Sequence, residues 1–433
     1  KGTHKVIPPR RLRDRQESHS RGEYPYATLE PLIRGKAWYS DFSFRLTLPL
    51  LPDEIPNVGL NNISIARWEP KYNFYIEKMS DPKEALIIHK VLDEEITHFY
   101  SRDLKIFTKH LRLTIIKNGF ETTHALPPVF LDIFGFLRIL RRLLRLDQCN
   151  VIPIKSIPDY YLILRRGSIY VLDRKNGIIK KKSELLQCRN LMHDSVCFLR
   201  NGEIIFGEYG ANPERKPVPF HLSKDNGNTW EVFYPLKEFP IKHVHNIQQD
   251  PITGKIWVCC GDFEGECIIA IFDEDLASFE IIGDGGQSFR TCGFIFQEAE
   301  VYWMMDSPLE NSHLIKYDRS KKSIEHLQKF DGSMWYNKEL SHGLRLVTQS
   351  VESGPSITTN KARLFVSTNS EDWQSIFELE KDLWPMGYFK LGVIALSPGD
   401  DDEFCIFIEG LKKFDGKTIV CSLNHDHQIF NEL

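Results

Sequence analysis

From about residue 151 onward, short apolar runs alternate with polar turns on a period of about fifty residues. Each unit is an apolar strand, a turn built on an acidic or amide residue, and a further strand. Val171-Leu172-Asp173-Arg174-Lys175-Asn176-Gly177, Lys316-Tyr317-Asp318-Arg319 and Lys413-Phe414-Asp415-Gly416 are three of them. With Asp225, Asp275 and Asn369, the turn residues fall at 173, 225, 275, 318, 369 and 415, spaced by 52, 50, 43, 51 and 46 residues. A blade of four short strands takes roughly 40 to 50 residues, so the period predicts a mainly β chain with a six-bladed β-propeller over residues 151–433.

The first 150 residues do not keep this rhythm. Residues 1–22 are basic and polar and predict a flexible arm. Two runs, 42–48 and 62–68, alternate apolar and polar positions as strands do. Asp81-Pro82 then looks like a helix start, with Ala85, Ile88, Leu92 and Ile96 recurring at helical spacing. After Pro127-Pro128, residues 130–146 predict a second helix in which Arg138, Arg141, Arg142 and Arg145 share one stripe and nearly everything else is apolar. Residues 23–150 therefore read as an α+β N-terminal extension. Its arginine helix fits a dock against the propeller or a sister subunit, with the arginines facing water or acids. It also fits a membrane interface with the arginines at headgroups.

Residues 223–230 form the most informative turn. Ser223 and Asp225 can turn their oxygens onto backbone N–H groups, Gly227 supplies a left-handed position, Thr229 adds a hydroxyl, and Trp230 folds back under the hairpin. This Ser-x-Asp-x-Gly-x-Thr-Trp pattern resembles the Asp-box, or bacterial neuraminidase repeat, of the sialidase-like β-propellers. Weaker copies stand at Ser367 to Trp373 and at Asp273 to Phe279. Sialidases bring three arginines to the substrate carboxylate, the first from an Arg-Ile-Pro motif that is absent here. Only Arg290 and Arg345 are suitably placed, so the departure argues against sialidase activity. The stretch from His243 to Trp257, followed by Gly285-Gly286-Gln287-Ser288-Phe289-Arg290 and Tyr302-Trp303, resembles propeller proteins encoded beside glycan-assembly genes, over about residues 155–425. Members of the wider Asp-box group bind or cleave acidic polysaccharides.

Composition narrows the partners. A formal charge of -4 and arginines without interleaved aromatics argue against nucleic acid. Nothing is long and apolar enough to span a bilayer as a helix. Nine cysteines, several in apolar strands and none in a Cys-x-x-Cys pair, predict buried free thiols in a reducing compartment such as the cytoplasm.

A propeller gathers function where its innermost strands converge, and each blade should open on one. These are expected near 191–198, 242–249, 288–295, 343–350 and 390–396. They offer His193 and Asp194, then His243 and His245, then Gln287 and Arg290. Two strand residues apart, His243 and His245 share a face. With His193 they are candidates either to hold a divalent metal or to move protons on a bound sugar. Arg290 is the candidate clamp for a uronate carboxylate, or a partner of Asp194 across blades. Trp303 is a candidate sugar platform and Asp306 an acceptor, with Trp335, Tyr336, Arg345 and Glu352 completing the rim. The expected activity is that of a polysaccharide lyase, with a histidine as base, or of a glycoside hydrolase using two of Asp194, Asp306 and Glu352. The alternative is a non-catalytic glycan-binding or scaffold propeller.

Overall fold

The computed structural model of the chain describes residues 66–67 and 84–430, apart from 94, 95, 390, 400, 401, 428 and 429. The basic arm, the run at 42–48, most of the run at 62–68 and the Asp81-Pro82 helix start lie outside these residues.

Seven antiparallel sheets follow one another along the chain, so the architecture is a seven-bladed β-propeller and not a six-bladed one. Their innermost strands are Ile96–Tyr100, Cys149–Pro153, Cys197–Phe198, Val244–Gln249, Ile295–Phe296, Met334–Glu339 and Val393–Leu396. The extra blade, Ile96–Tyr100 to Phe120–Ala125, lies in the region expected to be an extension, and Ala66–Arg67 adds a fifth strand to its edge. Two hairpins break the period. Asn118-Gly119, an Asn-Gly pair with φ +50 and +79, joins the third and fourth strands of the first blade but lies in the stretch expected to be an extension. Asp415, in contrast, joins the second and third strands of the last blade, a different hairpin from the other five.

The seventh blade takes its outermost strand from the other end of the chain. Leu86–Asp93 pairs with Lys417–Leu423, from Leu86 opposite Leu423 to Asp93 opposite Lys417. The predicted helix over Ala85, Ile88, Leu92 and Ile96 is thus a strand followed by the start of the next. The third strand of the last blade would otherwise expose a row of unpaired backbone groups, and pairing them outweighs an ambiguous apolar spacing. Within blades, burial grades outward. Cys267–Phe272 is buried at every position, whereas Ser323–Lys329 at the rim alternates exposed and half-buried residues.

The Asp-box hairpin forms as its residues dictate. Gly227 N–H donates to Ser223 Oγ at 2.8 Å, Thr229 N–H and Oγ1 donate to Asp225 at 2.8 and 2.7 Å, and Trp230 Nε1 donates to Gly227 O at 3.1 Å. Gly227 has φ +82, and in the degenerate copy Ser370 takes the same left-handed region at φ +69. There Trp373 Nε1 donates to Ser370 O at 3.0 Å.

Between the first two blades, the expected single helix over 130–146 is two pieces, a 3-10 turn Phe130–Phe134 and an α-helix Arg138–Leu144. Most of its arginines point into the protein. Arg142 is buried and donates to Asp382 at 2.7 Å, Asp415 at 3.3 Å and Phe389 O at 2.7 Å. Arg138 and Arg141 both reach Asp147, at 2.8 and 3.2 Å. Only Arg145, at the left-handed C-cap, is exposed. Phe130, Ile133, Phe136 and Leu137 face outward instead, Phe130 being 79% exposed. Arg138, Arg141 and Arg142 bind Asp147, Asp382 and Asp415, as in a helix docked on the propeller, and so are not arranged for headgroups. Among the described residues no helix is long and apolar enough to cross a membrane. All nine cysteines are buried and free.

Candidate functional site

Loops joining second to third strands, and links from one blade to the next, share one face of the propeller. On that face the fourth blade opens with Lys242-His243-Val244-His245, and a bulge between Val244 and Asn246 turns both imidazoles toward the loop that carries Asp262. His243 Nδ1 lies 2.8 Å from Gly210 O, and His245 Nδ1 lies 2.8 Å from Thr291 O. A carbonyl only accepts, so both Nδ1 atoms carry hydrogen, and in the neutral form of each ring Nε2 presents a lone pair. These lone pairs converge. The two Nε2 atoms are 2.9 Å apart, and Asp262 Oδ1 is 3.2 Å from His243 Nε2 and 3.0 Å from His245 Nε2.

Three acceptors in mutual contact require something positive between or beside them. Burial lowers His243 to about 4, against the pull of Asp262, so its ring stays neutral near pH 7. Burial alone would raise Asp262, but the charge of Arg290 and the hydrogen bonds of the site offset it and hold the carboxylate well below its usual range. Tetrahedral ligands at 2.0–2.1 Å from a metal lie ~3.3 Å apart, close to the spacings found. His243, His245 and Asp262 are therefore a fitting donor set for a divalent cation. The second imidazole, Cys292 and Asp306 form an overlapping group.

Arg290 spans the site's acids. Its guanidinium donates to Asp262 O at 2.9 Å and lies 3.4 Å from Asp262 Oδ1 and 3.5 Å from Asp306 Oδ2. Asp306 and Glu352 are both buried, and the charges of both act on the same guanidinium. Burial and then the Asp306 charge push Glu352 up to about 8, and burial raises Asp306 as well. At neutral pH Glu352 therefore keeps its proton, near an Asp306 carboxyl that is raised as well. One oxygen of each, Asp306 Oδ1 and Glu352 Oε1, is buried without a hydrogen-bond partner. Gln287 braces the arrangement, donating to Asp262 O at 3.2 Å and accepting from Ser307 Oγ at 2.7 Å. Tyr209 covers His243, with ring centroids 4.0 Å apart.

His243, His245, Gln287, Arg290, Asp306 and Glu352 therefore gather as expected, contributed by the fourth, fifth and sixth blades. Other expected members do not join them. His193 is not the third ligand. Its ring neighbours are His98 and Tyr336, at 6.2 and 6.1 Å, and Asp262 takes the place beside the histidine pair. Asp194 does not pair with Arg290 but lies near Lys338 and Lys155. It is accessible yet crowded by protein, as a group facing the central channel is, and this burial raises its carboxyl to about 6. Trp303 is no platform. It is fully buried on a second strand, between the fourth and fifth blades, with Nε1 donating to Ser288 O at 2.8 Å. Arg345 pairs with Glu339 at the end of the hairpin opposite Met334 and Gln349. Its strand, placed at 343–350 as innermost, is the second of its blade. Trp335 and Tyr336 are half-buried on the true inner strand, and the Trp335 indole N–H has no partner.

Asp262, Tyr209 and Lys242 went unpredicted. Asp262 and Tyr209 sit just past second strands and not on the inner strands that carry the expected candidates. A Gly-Asp step after the apolar run Ile256–Cys260 was the available signal for Asp262.

No family model and no curated protein matches the chain. Solved structures resemble it distantly. A chain of the mitotic checkpoint complex has 9% identity and a TM-score of 0.47, covering 87% of this chain and 99% of its own. An oligogalacturonate lyase in complex with manganese has 7% identity and a TM-score of 0.47, covering 83% and 96%. A putative TolB from Agrobacterium tumefaciens has 12% identity and a TM-score of 0.36, covering 61% and 86%. Likenesses this remote carry no argument about activity.

Proposed function

We propose that the protein is a carbohydrate-active propeller, related to the Asp-box group, that acts on an acidic polysaccharide by β-elimination at a divalent-cation site. One observation carries the reading. Two imidazole nitrogens and a carboxylate converge on one point, beside an arginine and two buried carboxyls, of which Glu352 keeps its proton at neutral pH. A bound cation would neutralise the uronate carboxylate and so acidify the neighbouring C–H. His243, His245 and Asp262 hold it, which removes the histidines from the role of base considered above. The ionised member of the Asp306 and Glu352 pair takes the C5 proton. The protonated member gives a proton to the departing O4 as the C4–O4 bond breaks and a C4=C5 double bond forms. Arg290 keeps charge balanced across these carboxyls throughout.

The test is absorbance from unsaturated uronate on incubating the purified chain with uronic polysaccharides and a divalent cation. The signal is expected in wild type and lost in Asp262→Asn. A signal that survives the substitution, or none on any uronic polysaccharide, overturns the elimination. The tight closure of the site favours a second reading, in which the propeller binds a glycan without cleaving it, since His243 and His245 are each only 2% exposed. Binding without absorbance would support it. In that case the outward apolar row at Phe130, Ile133, Phe136 and Leu137 is the candidate contact for a subunit or membrane.

A further inference from the structure

Two side chains expected to meet substrate are committed inside the fold: Trp303 to the core and Arg290 to Asp262 and Asp306. An aromatic surface and two part-exposed cations nevertheless exist next to Asp262. Phe263, the following residue, is 45% exposed on the loop between Ile256–Cys260 and Cys267–Phe272. Two cations from other segments flank its ring. Lys242 Nζ lies 5.3 Å and Arg215 Cζ 5.5 Å from its centroid. Lys242 comes from the link between the third and fourth blades, and Arg215 from the second-to-third-strand loop of the third.

Three segments remote in sequence thus build one small surface. Lys242 Nζ is 2.5 Å from Asp262 Oδ2, and Arg215 is fixed by Glu266 at 2.5 Å and Asn212 O at 2.9 Å. The Lys242 and Arg215 side chains remain 23% and 25% exposed. We infer that Phe263, with Lys242 and Arg215 over its ring, is the specificity platform for one uronate ring beside the reacting centre. The sugar packs against the exposed part of the phenyl ring, and its carboxylate meets the two cations. The inference rests on the functional reading above. A cation held by Asp262 takes up the charge that otherwise balances Lys242, so the surface becomes more favourable to an anion once the site is loaded.

Calorimetric titration of the full chain with oligogalacturonate, in manganese, tests it. Phe263→Ala should weaken binding ~10-fold while Phe263→Tyr stays within ~3-fold of wild type. Arg215→Gln should weaken oligogalacturonate but leave a neutral cello-oligosaccharide, if bound at all, unchanged. The manganese-induced rise in melting temperature should persist in all three variants, separating loss of the platform from loss of the cation site. Undiminished binding by Phe263→Ala overturns the platform and leaves the polysaccharide reading standing. A wild type that binds no uronate oligosaccharide overturns both.

Discussion

Replacing Glu352 by glutamine removes a proton that the folded chain holds and the unfolded chain releases. Burial and the neighbouring Asp306 charge raise the Glu352 carboxyl from 4.5 to about 8. Between these values the native state binds more protons than the unfolded state, so wild-type stability is full below about pH 4.5 and falls as pH rises through about 8. Each unit is worth ~1.4 kcal/mol, which sets a ceiling of ~5 kcal/mol, and interaction with Asp306 reduces the expected effect to ~2–3 kcal/mol. Glu352→Gln stays neutral and escapes this loss. Urea unfolding of both proteins at pH 5 and pH 9 measures it. The variant should gain ~2–3 kcal/mol relative to wild type at the higher pH. A stability difference that is flat across that interval refutes the retained proton, and with it the acid assigned to the elimination.

Three further outcomes are expected. A divalent cation at a hundredfold its dissociation constant should stabilise the fold by ~2.7 kcal/mol, raising the melting temperature of a chain this size by ~3 °C, and Asp262→Asn should abolish the rise in differential scanning fluorimetry. Arg142→Met should cost ~3–5 kcal/mol in chemical denaturation, because Asp382 and Asp415 lose the buried guanidinium that links the insert to the last blades. Gly227→Val should cost ~1–2 kcal/mol by the same measurement, since φ is +82 and Val171 Cγ2 already stands 3.3 Å from the position of an added Cβ.

The blade period was legible because the hairpin between third and fourth strands carries its own chemistry, a left-handed residue with side-chain oxygens on the turn, at Asp173, Asp225, Asp275, Asp318 and Asn369. The blade count was not, because ring closure is a tertiary event. Nothing local in Leu86–Asp93 says that its partner lies more than three hundred residues away. Site membership followed the same division. His243, His245 and Arg290 stood out as polar residues opening apolar strands. Asp262 did not, since an acidic loop residue after a strand is ordinary until the fold aims it. Trp303 misled because an aromatic on a strand reads alike whether it faces a channel or fills the seam between two blades. The stripe of Arg138, Arg141 and Arg142 fitted a docked helix facing acids as well as one facing water or headgroups, and only the fold supplies the acids, Asp147, Asp382 and Asp415.

The central claim is that His243, His245 and Asp262 hold a cation. Anomalous diffraction from crystals grown with manganese tests it most directly. The account predicts a single strong peak within bonding distance of His243 Nε2, His245 Nε2 and Asp262 Oδ1. A map with no peak there, or with manganese bound only elsewhere, would contradict it.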